Sequence, residues 1–570
     1  MERLWLSQYP PGIPADVDLR TFASLKEVLL HSCRRFASLP VYTNMGTSMT
    51  YAELDRASRA FAAYLQKSLG LHKGDRVAIM MPNLLQYPVA LFGVLRAGLV
   101  VVNVNPQYTV PELEHQLKDS GAVAIVVLEN FAHTLQEVLQ KNPTMKLAVI
   151  TTEVGDMFPT VRKLLTNLVV KYVKRMVPAW RIPGTTELNS ALRTGRRQEL
   201  EDVPLTRDDM AFLQYTGGTT GVAKGVVLTH GNLMANVEQM RAWMARDLVE
   251  GQEIFVCPLP LYHVYALTSS LVFFRLGART VLVTNPRDMR AFIHDLRTYP
   301  FTVIIAVNTL YRALLDAPGF ADVDAGHLKV TSSGGMAVQR AVAERWKQRT
   351  GVPIIEGYGL TEAAPVVIAN RMDVEEWTGT IGLPIPSTEA AILDEEDHEL
   401  GVGEVGEICV RGPQVMPGYW NRPDETRKVF TRDGWLRTGD MGFMDERGYF
   451  RITDRKKDVI IVSGFKVFPN QIEDAVALHP GVAEVAAIGA PDERSGEVVK
   501  IVVVRRDVTL SVQSLLEHCR RHLTGYKMPK IVEFSSLPLP KSNLGKIIRR
   551  QLRGAHPPPS SGPTTRATPP

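Results

Sequence analysis

The sequence predicts an α/β protein in two parts, a large N-terminal domain of parallel and mixed sheets covered by helices and a small α+β C-terminal domain. Three observations predict it. Apolar, β-branched runs alternate with helical patterns through most of the chain. Near residue 400 this gives way to hairpin-like pieces. The length, 570 residues, exceeds what one hydrophobic core organises.

Taken in order, "RVAIMMP" (76–82), "LVVVNVNP" (99–106) and "VAIVVLE" (123–129) read as buried strands. "LQYPVALFGVLRAG" and "TVPELEHQLKDSG" between them read as helices. The same alternation returns around "RTVLVTNP", "FTVIIAV" and "VPIIEGYG". Beyond residue 400, "GEVGEICVRG" and "MGFMDERGYFRITDRKKDVIIVSG" read as hairpins, and a compact α+β stretch runs to Arg553. The expected domains are 1–454 and 455–553, followed by a Pro/Ser/Thr-rich tail (554–570) too poor in apolar residues to pack.

Composition narrows the function classes. A hydrophobic share of 45% with 22% charged residues is ordinary for a water-exposed globular chain. The net charge of +5 gives no case for nucleic acid as the main ligand. Cys33, Cys257, Cys409 and Cys519 form no CxxC pair, so neither zinc nor a disulfide framework is expected, and a reducing, cytoplasmic setting fits. The first twenty residues lack a signal peptide's apolar core, and no apolar run is long enough to span a bilayer.

Residues 161–180, "VRKLLTNLVVKYVKRMVPAW", carry a possible membrane signal. At helical spacing Val161, Leu164, Leu165, Leu168, Tyr172 and Met176 share one face, Lys163, Lys171 and Lys174 lie opposite, and Trp180 follows. Peripheral contact on the cytoplasmic face of a membrane is one reading. The commoner fate of such a helix is to pack its apolar face on its own domain.

"YTGGTTGVAKG" (215–225) holds the densest chemistry. It is not a Walker A loop, because Gly225 stands where the magnesium-binding hydroxyl should follow Lys224, and Ala223 where a glycine should precede it. It can still cradle an anion. Gly217, Gly218 and Gly221 let backbone N–H groups converge, Thr216, Thr219 and Thr220 add hydroxyls, and Lys224 adds a charge. The flanking strand-like runs suit a hairpin.

Four further stretches are suggestive together. "EGYGLTEAAP" offers the Tyr358 ring, the Thr361 hydroxyl and, in Glu362, a carboxylate suited to Mg²⁺. "DGWLRTGD" ends on Asp440 in a glycine turn, where a carboxylate can take two ribose hydroxyls. "ITDRKKDVIIVSGFKVFP" places Lys456 and Lys457 where a hinge is expected. "LPLPKSNLGKIIRRQL" presents Lys546 on a glycine turn before a basic helix.

In this order the motifs resemble the acyl-adenylate-forming superfamily, most closely its bacterial long-chain fatty acyl-CoA synthetases, over residues 5–553. "VNVNPQY", "PLPLYHVYALT" and "EVAAIGAPDERSGE" are similar to the same group. The resemblance implies a mobile C-terminal lid and two half-reactions. A fatty acid carboxylate attacks the α-phosphate of Mg²⁺-bound ATP, and the CoA thiol then displaces AMP. It further implies that Tyr215, Thr216, Gly217, Gly218, Thr219, Thr220, Gly221, Lys224 and Gly225 hold the outer phosphates. Tyr358, Gly334 and Gly335 would line the adenine pocket. Thr361 would meet the α-phosphate, Glu362 would hold Mg²⁺, and Asp440 and Arg455 would bind the ribose. Lys546 would serve adenylation alone, Lys457 would be the hinge, Gly464 would face the CoA channel, and His263 would gate it. The chain departs from the usual pattern at Asp433 (commonly Asn), Arg437 (commonly His) and Ala337 (commonly Pro), none of them a catalytic side chain.

Overall fold

The computed structural model describes residues 3–216, 223–463, 465–492, 495–541 and 547–554. Among them the chain divides into two compact units. The larger spans Leu6–Glu389 and Arg411–Leu436. The smaller gathers the described residues of Met1–Trp5, Ala390–Val410 and Arg437–Pro570.

The larger unit is built on two mixed sheets. One runs in the order Gly418–Tyr419, Lys224–Thr229, Met210–Thr216, Val100–Asn103, Arg76–Met80, Ala124–Leu128, Ala148–Thr152, Thr186–Glu187. All its neighbours from Met210–Thr216 to Thr186–Glu187 are parallel, as the alternating pattern predicts. The other is parallel from Pro40–Asn44 through Arg279–Leu282, Ile254–Cys257, Val303–Ala306 and Val330–Ser333 to Ile354–Gly359, with antiparallel edges.

The local reasons are readable. Helix Val110–Ser120 opens on a capping box between Thr109 and Glu112, with a proline in its first turn, and stops at Gly121, whose φ of 60° a larger side chain resists. Strand Ala124–Leu128 is buried along its whole length, which is why it reads as an unbroken apolar run. Ile125, Val127, Val102, Leu113, Leu117 and Leu213 close into one core between sheet and helices.

The smaller unit holds a four-stranded sheet, ordered Glu389–Leu393, Gly406–Arg411, Leu436–Met444, Phe450–Arg455, and a five-stranded sheet centred on Gly496–Arg505. Of the hairpin expected over 441–464, Leu436–Met444 pairs with Phe450–Arg455, with Asp440 opposite Arg455, while Ile460–Val462 joins the five-stranded sheet. "GEVGEICVRG" is not a hairpin of its own: it supplies the single strand Gly406–Arg411 to that sheet. The boundary expected at 454/455 lies inside this unit, at the end of Phe450–Arg455.

Candidate active site

The phosphate-loop motif is mounted on an antiparallel hairpin. Tyr215 pairs with Gly225 and Thr216 with Lys224. Gly217, Gly218, Thr219, Thr220 and Gly221 lie outside the described residues. A Cβ on Gly225 would stand 3.1 Å from the Tyr215 ring, so glycine there lets the ring lie across the facing strand. The Tyr215 hydroxyl donates to Asp119 at 2.7 Å, and Asp119 also pairs with Arg422 at 3.1 Å. The His115 ring donates to the Ala223 carbonyl at 2.9 Å. The loop's flanks are therefore anchored on both sides by contacts within the protein.

Strand Ile354–Gly359 ends the second sheet's parallel run, and Tyr358 is buried near its end. Gly334 and Gly335 follow the neighbouring strand Val330–Ser333. A Cβ on Gly334 would come within 3.3 Å of both the Gly357 carbonyl and the Tyr265 ring, and Gly335 has φ 79°. Gly334 thus lets backbone lie close to the strand that carries Tyr358, and Gly335 supplies a left-handed backbone conformation. Thr361 and Glu362 sit in the single helical turn Thr361–Ala363 that follows, ahead of the cis Ala364–Pro365 bond.

One tyrosine joins the two motifs. Tyr419 lies in the short strand Gly418–Tyr419, paired to Val226 and Val227 beyond the loop. Its hydroxyl donates to Glu362 Oε1 at 2.8 Å. The Lys224 ammonium lies 5.2 Å from its ring centroid, within cation–π range. The same ammonium pairs with Glu425 Oε2 at 2.5 Å, while Glu425 Oε1 takes Lys428 at 2.7 Å. These two cations, Lys224 foremost, hold the Glu425 carboxyl down to about 2. A cation suited to phosphate and a carboxylate suited to Mg²⁺ thus share one aromatic side chain.

His263 caps the helix Val264–Arg275, its Nδ1 accepting the Tyr265 N–H at 3.4 Å. Burial pushes its imidazole down to about 4, so it is neutral at physiological pH. A neutral, partly enclosed ring suits steric gating rather than proton transfer.

In the smaller unit Asp440 and Arg455 are brought together, 3.4 Å apart across the hairpin. The expected glycine turn at Asp440 is instead part of the strand Leu436–Met444, within which Gly439 takes φ 74°. Glu407, which the sequence did not single out, organises this corner. It accepts the Gly439 N–H at 3.0 Å and pairs with Arg437 at 3.2 Å and Lys456 at 3.1 Å. Arg437 also pairs with Asp397, so this departure from the usual pattern is matched by two carboxylates. The Lys457 carbonyl accepts from Arg553 at 3.4 Å. Gly464 and Lys546 lie outside the described residues. Among the described residues no cluster of three or more His, Cys, Asp or Glu side chains could hold a metal ion.

The segment 161–180 corrects two expectations. The helix is Thr160–Leu168, continued by a π-helical turn Val169–Val173, and it ends well before Trp180. Trp180 packs against the larger unit's core instead of extending the apolar stripe. The expected inward packing is reversed. Val161, Leu164, Leu165 and Tyr172 are 72%, 64%, 60% and 69% exposed, and Leu168, Val173 and Met176 join them. The opposite face is tied down. Lys163 pairs with Asp156 at 2.7 Å, Lys171 with Glu129 at 3.1 Å, and Asn167 donates to Glu153 at 2.6 Å. No helix among the described residues is long and apolar enough to cross a membrane.

Tyr419, Glu425 and Asp119 were also missed. Each partners a motif residue far away in sequence, such as Glu425 with Lys224, so no local pattern marks it.

The AMP-binding enzyme family matches residues 29–420, and the AMP-binding enzyme C-terminal domain matches 471–546. A long-chain-fatty-acid–CoA ligase of Escherichia coli O157:H7 is 54% identical over 554 residues, covering 97% of this chain and 98% of that protein. One from Haemophilus influenzae is 49% identical over 557 residues, with the same coverage of both chains. The crystal structure of ATP-bound MatB from Rhodopseudomonas palustris superposes with a TM-score of 0.80 at 28% identity, covering 93% of this chain and 98% of that one. The chain belongs to the AMP-binding enzyme family, with the large α/β domain and smaller C-terminal domain of the acyl-CoA synthetase-like ligases.

Proposed function

We propose that this protein is a long-chain-fatty-acid–CoA ligase that works through an acyl-adenylate. The fatty acid carboxylate attacks the α-phosphorus of ATP and pyrophosphate leaves. The CoA sulfur then attacks the acyl carbonyl and AMP leaves. The observation that supports the reading is the Lys224–Tyr419–Glu362 array, in which a cation suited to phosphate and a carboxylate suited to Mg²⁺ both contact one tyrosine.

Both reactants of the first step are anionic, so donors and positive charge must gather where negative charge builds. In this reading Lys224 and the loop 215–225 take the outer phosphates, and Thr361 donates to the α-phosphate. Tyr358 stacks on adenine beside Gly334 and Gly335, and Asp440 with Arg455 takes the ribose. A lone carboxylate fits Mg²⁺, which is usually held by one or two carboxylates plus substrate phosphates rather than by a protein cage. Glu362 would hold that ion, which when bound offsets charge on the phosphates. His263 separates the acyl and CoA sites, and Gly464 borders the CoA channel. Lys457 is the hinge between an N-terminal domain 1–454 and a C-terminal domain 455–553. Lys546 bridges carboxylate and α-phosphate in adenylation only, so Lys546→Ala should block pyrophosphate release yet still turn supplied acyl-AMP and CoA into thioester. Equal loss of both steps would refute that role.

A chain-length series with and without CoA tests the reading. Pyrophosphate release that depends on long-chain acids, with thioester only when CoA is present, is expected. A preference for aryl acids, or acyl-AMP that CoA never consumes, would overturn it.

We further propose peripheral contact with a membrane from the cytoplasmic side through residues 161–176. The outward stripe from Val161 to Met176 supports it, with the exposed cations Lys174 and Arg175 beside it. Leu164→Glu with Leu168→Glu should abolish co-sedimentation with anionic phospholipid vesicles without unfolding, since both side chains are already exposed. Unchanged co-sedimentation would exclude the segment.

A further inference from the structure

The pairing of Lys224 with Glu425 has a consequence for nucleotide binding. Lys224 is the charged side chain of the phosphate-loop motif, and a protein carboxylate, Glu425, is its ion-pair partner at 2.5 Å. A triphosphate that brings its outer oxygens to that ammonium meets the Glu425 carboxylate beside it, and two anions at contact distance repel. The surroundings make exchange easy. Both side chains are partly exposed, 19% for Lys224 and 31% for Glu425. Glu425 already holds a second cation, Lys428, at 2.7 Å, so its release strands no charge. Lys224 also keeps its place over the Tyr419 ring, whose strand is fixed by pairing to Val226 and by the Trp420 N–H donating to the Gly225 carbonyl at 2.8 Å. The Tyr419 N–H donates to Thr426 Oγ1 at 2.9 Å, which ties that strand to the helix Pro423–Val429 carrying Glu425.

We propose that Glu425 is a built-in placeholder for the outer phosphates, pairing with Lys224, yielding it to the triphosphate, and taking it back as pyrophosphate departs. This rests on the reading of Lys224 as a phosphate ligand. It makes Glu425 a residue that sets discrimination among nucleotides. Ligands bearing β- and γ-phosphates compete with it for Lys224 and AMP does not. It also favours product release, since the departing anion is replaced by one tethered to the chain.

Calorimetric titration of the full-length protein with ATP, pyrophosphate and AMP, without fatty acid so that nothing turns over, tests the exchange. Glu425→Gln should tighten ATP and pyrophosphate by about threefold to fivefold, the scale of a partly exposed ion pair. AMP affinity should stay unchanged. In turnover, pyrophosphate should become a correspondingly stronger inhibitor. Weaker ATP binding in Glu425→Gln would overturn the proposal, because Glu425 would then be orienting Lys224. Equal tightening of AMP would overturn it too, because the effect would be general electrostatics. Lys224→Met separates this from the underlying reading. It should weaken ATP at least tenfold, as loss of a charge-assisted contact does, and in that background Glu425→Gln should have no further effect. ATP affinity untouched by Lys224→Met would refute the placement of the phosphates and the exchange with it.

Discussion

Two charged networks in this chain look alike on paper and differ in kind. In the larger unit Lys224 meets one carboxylate, Glu425, and both side chains keep contact with solvent. In the smaller unit Arg549 meets Asp454, Asp458 and Glu473 within 3.5 Å and donates to Asn470 at 2.6 Å, with the Asp454 side chain fully buried. Burial pushes the Asp454 and Glu473 carboxyls above their usual range while Arg549 pulls them down, and those carboxylates raise the guanidinium. A single half-wet pair costs little to open and so suits a site that must exchange anions. A buried cluster costs much to open and so holds shape. Arg549 ties the segment just after Lys546 to the end of Phe450–Arg455, while Arg553 reaches the Lys457 and Asp458 carbonyls.

The sharpest way to break this contrast is Arg549→Met. It leaves three carboxylates without their shared cation and should cost the smaller unit about 3–5 kcal/mol, read by hydrogen exchange along Gly496–Arg505. Unchanged protection there would mean the cluster is no more structural than the Lys224 pair.

Tyr419→Phe should act more mildly and only at the site. The ring under Lys224 remains and the hydroxyl that orients Glu362 is lost. Mn²⁺ binding to the ATP-loaded protein, followed by electron paramagnetic resonance, should weaken about tenfold, the lower end for loss of a partner orienting a metal ligand. Thermal stability should barely move. Equal Mn²⁺ affinity would show that Tyr419 serves Lys224 alone.

The smallest effect is a pH dependence of the smaller unit. Burial lowers the His518 imidazole, with His522, His479 and Arg521 facing it, against a hydrogen bond to the Ala475 carbonyl that raises it. Its folded pKa lies below the unfolded value of about 6.5. The unfolded chain therefore takes up the proton first, so stability is complete above about pH 6.5 and declines as pH falls through that value. His518→Gln should flatten that decline.

The sequence made the parallel sheets and the loop hairpin legible, because each is written in local periodicity or in a glycine-rich loop between strand-like runs. What stayed hidden depends on partners distant in sequence. Tyr419 and Glu425 acquire meaning only once folding sets one on a strand and the other on the following helix beside Lys224. Segment 161–173 shows a second limit. Amphipathicity reveals that a helix has two faces but not which one points inward. Here Glu129, Glu153 and Asp156 beneath it decide, by capturing its polar side chains.

The two-step account is tested most directly by one rapid-quench experiment on the full-length protein. Enzyme in excess is mixed with a long-chain fatty acid, ATP and Mg²⁺ without CoA, and CoA is added after a delay. The account predicts stoichiometric pyrophosphate and enzyme-bound acyl-AMP before CoA, then thioester and AMP after it. ADP and phosphate as products, or no pyrophosphate until CoA arrives, would contradict it.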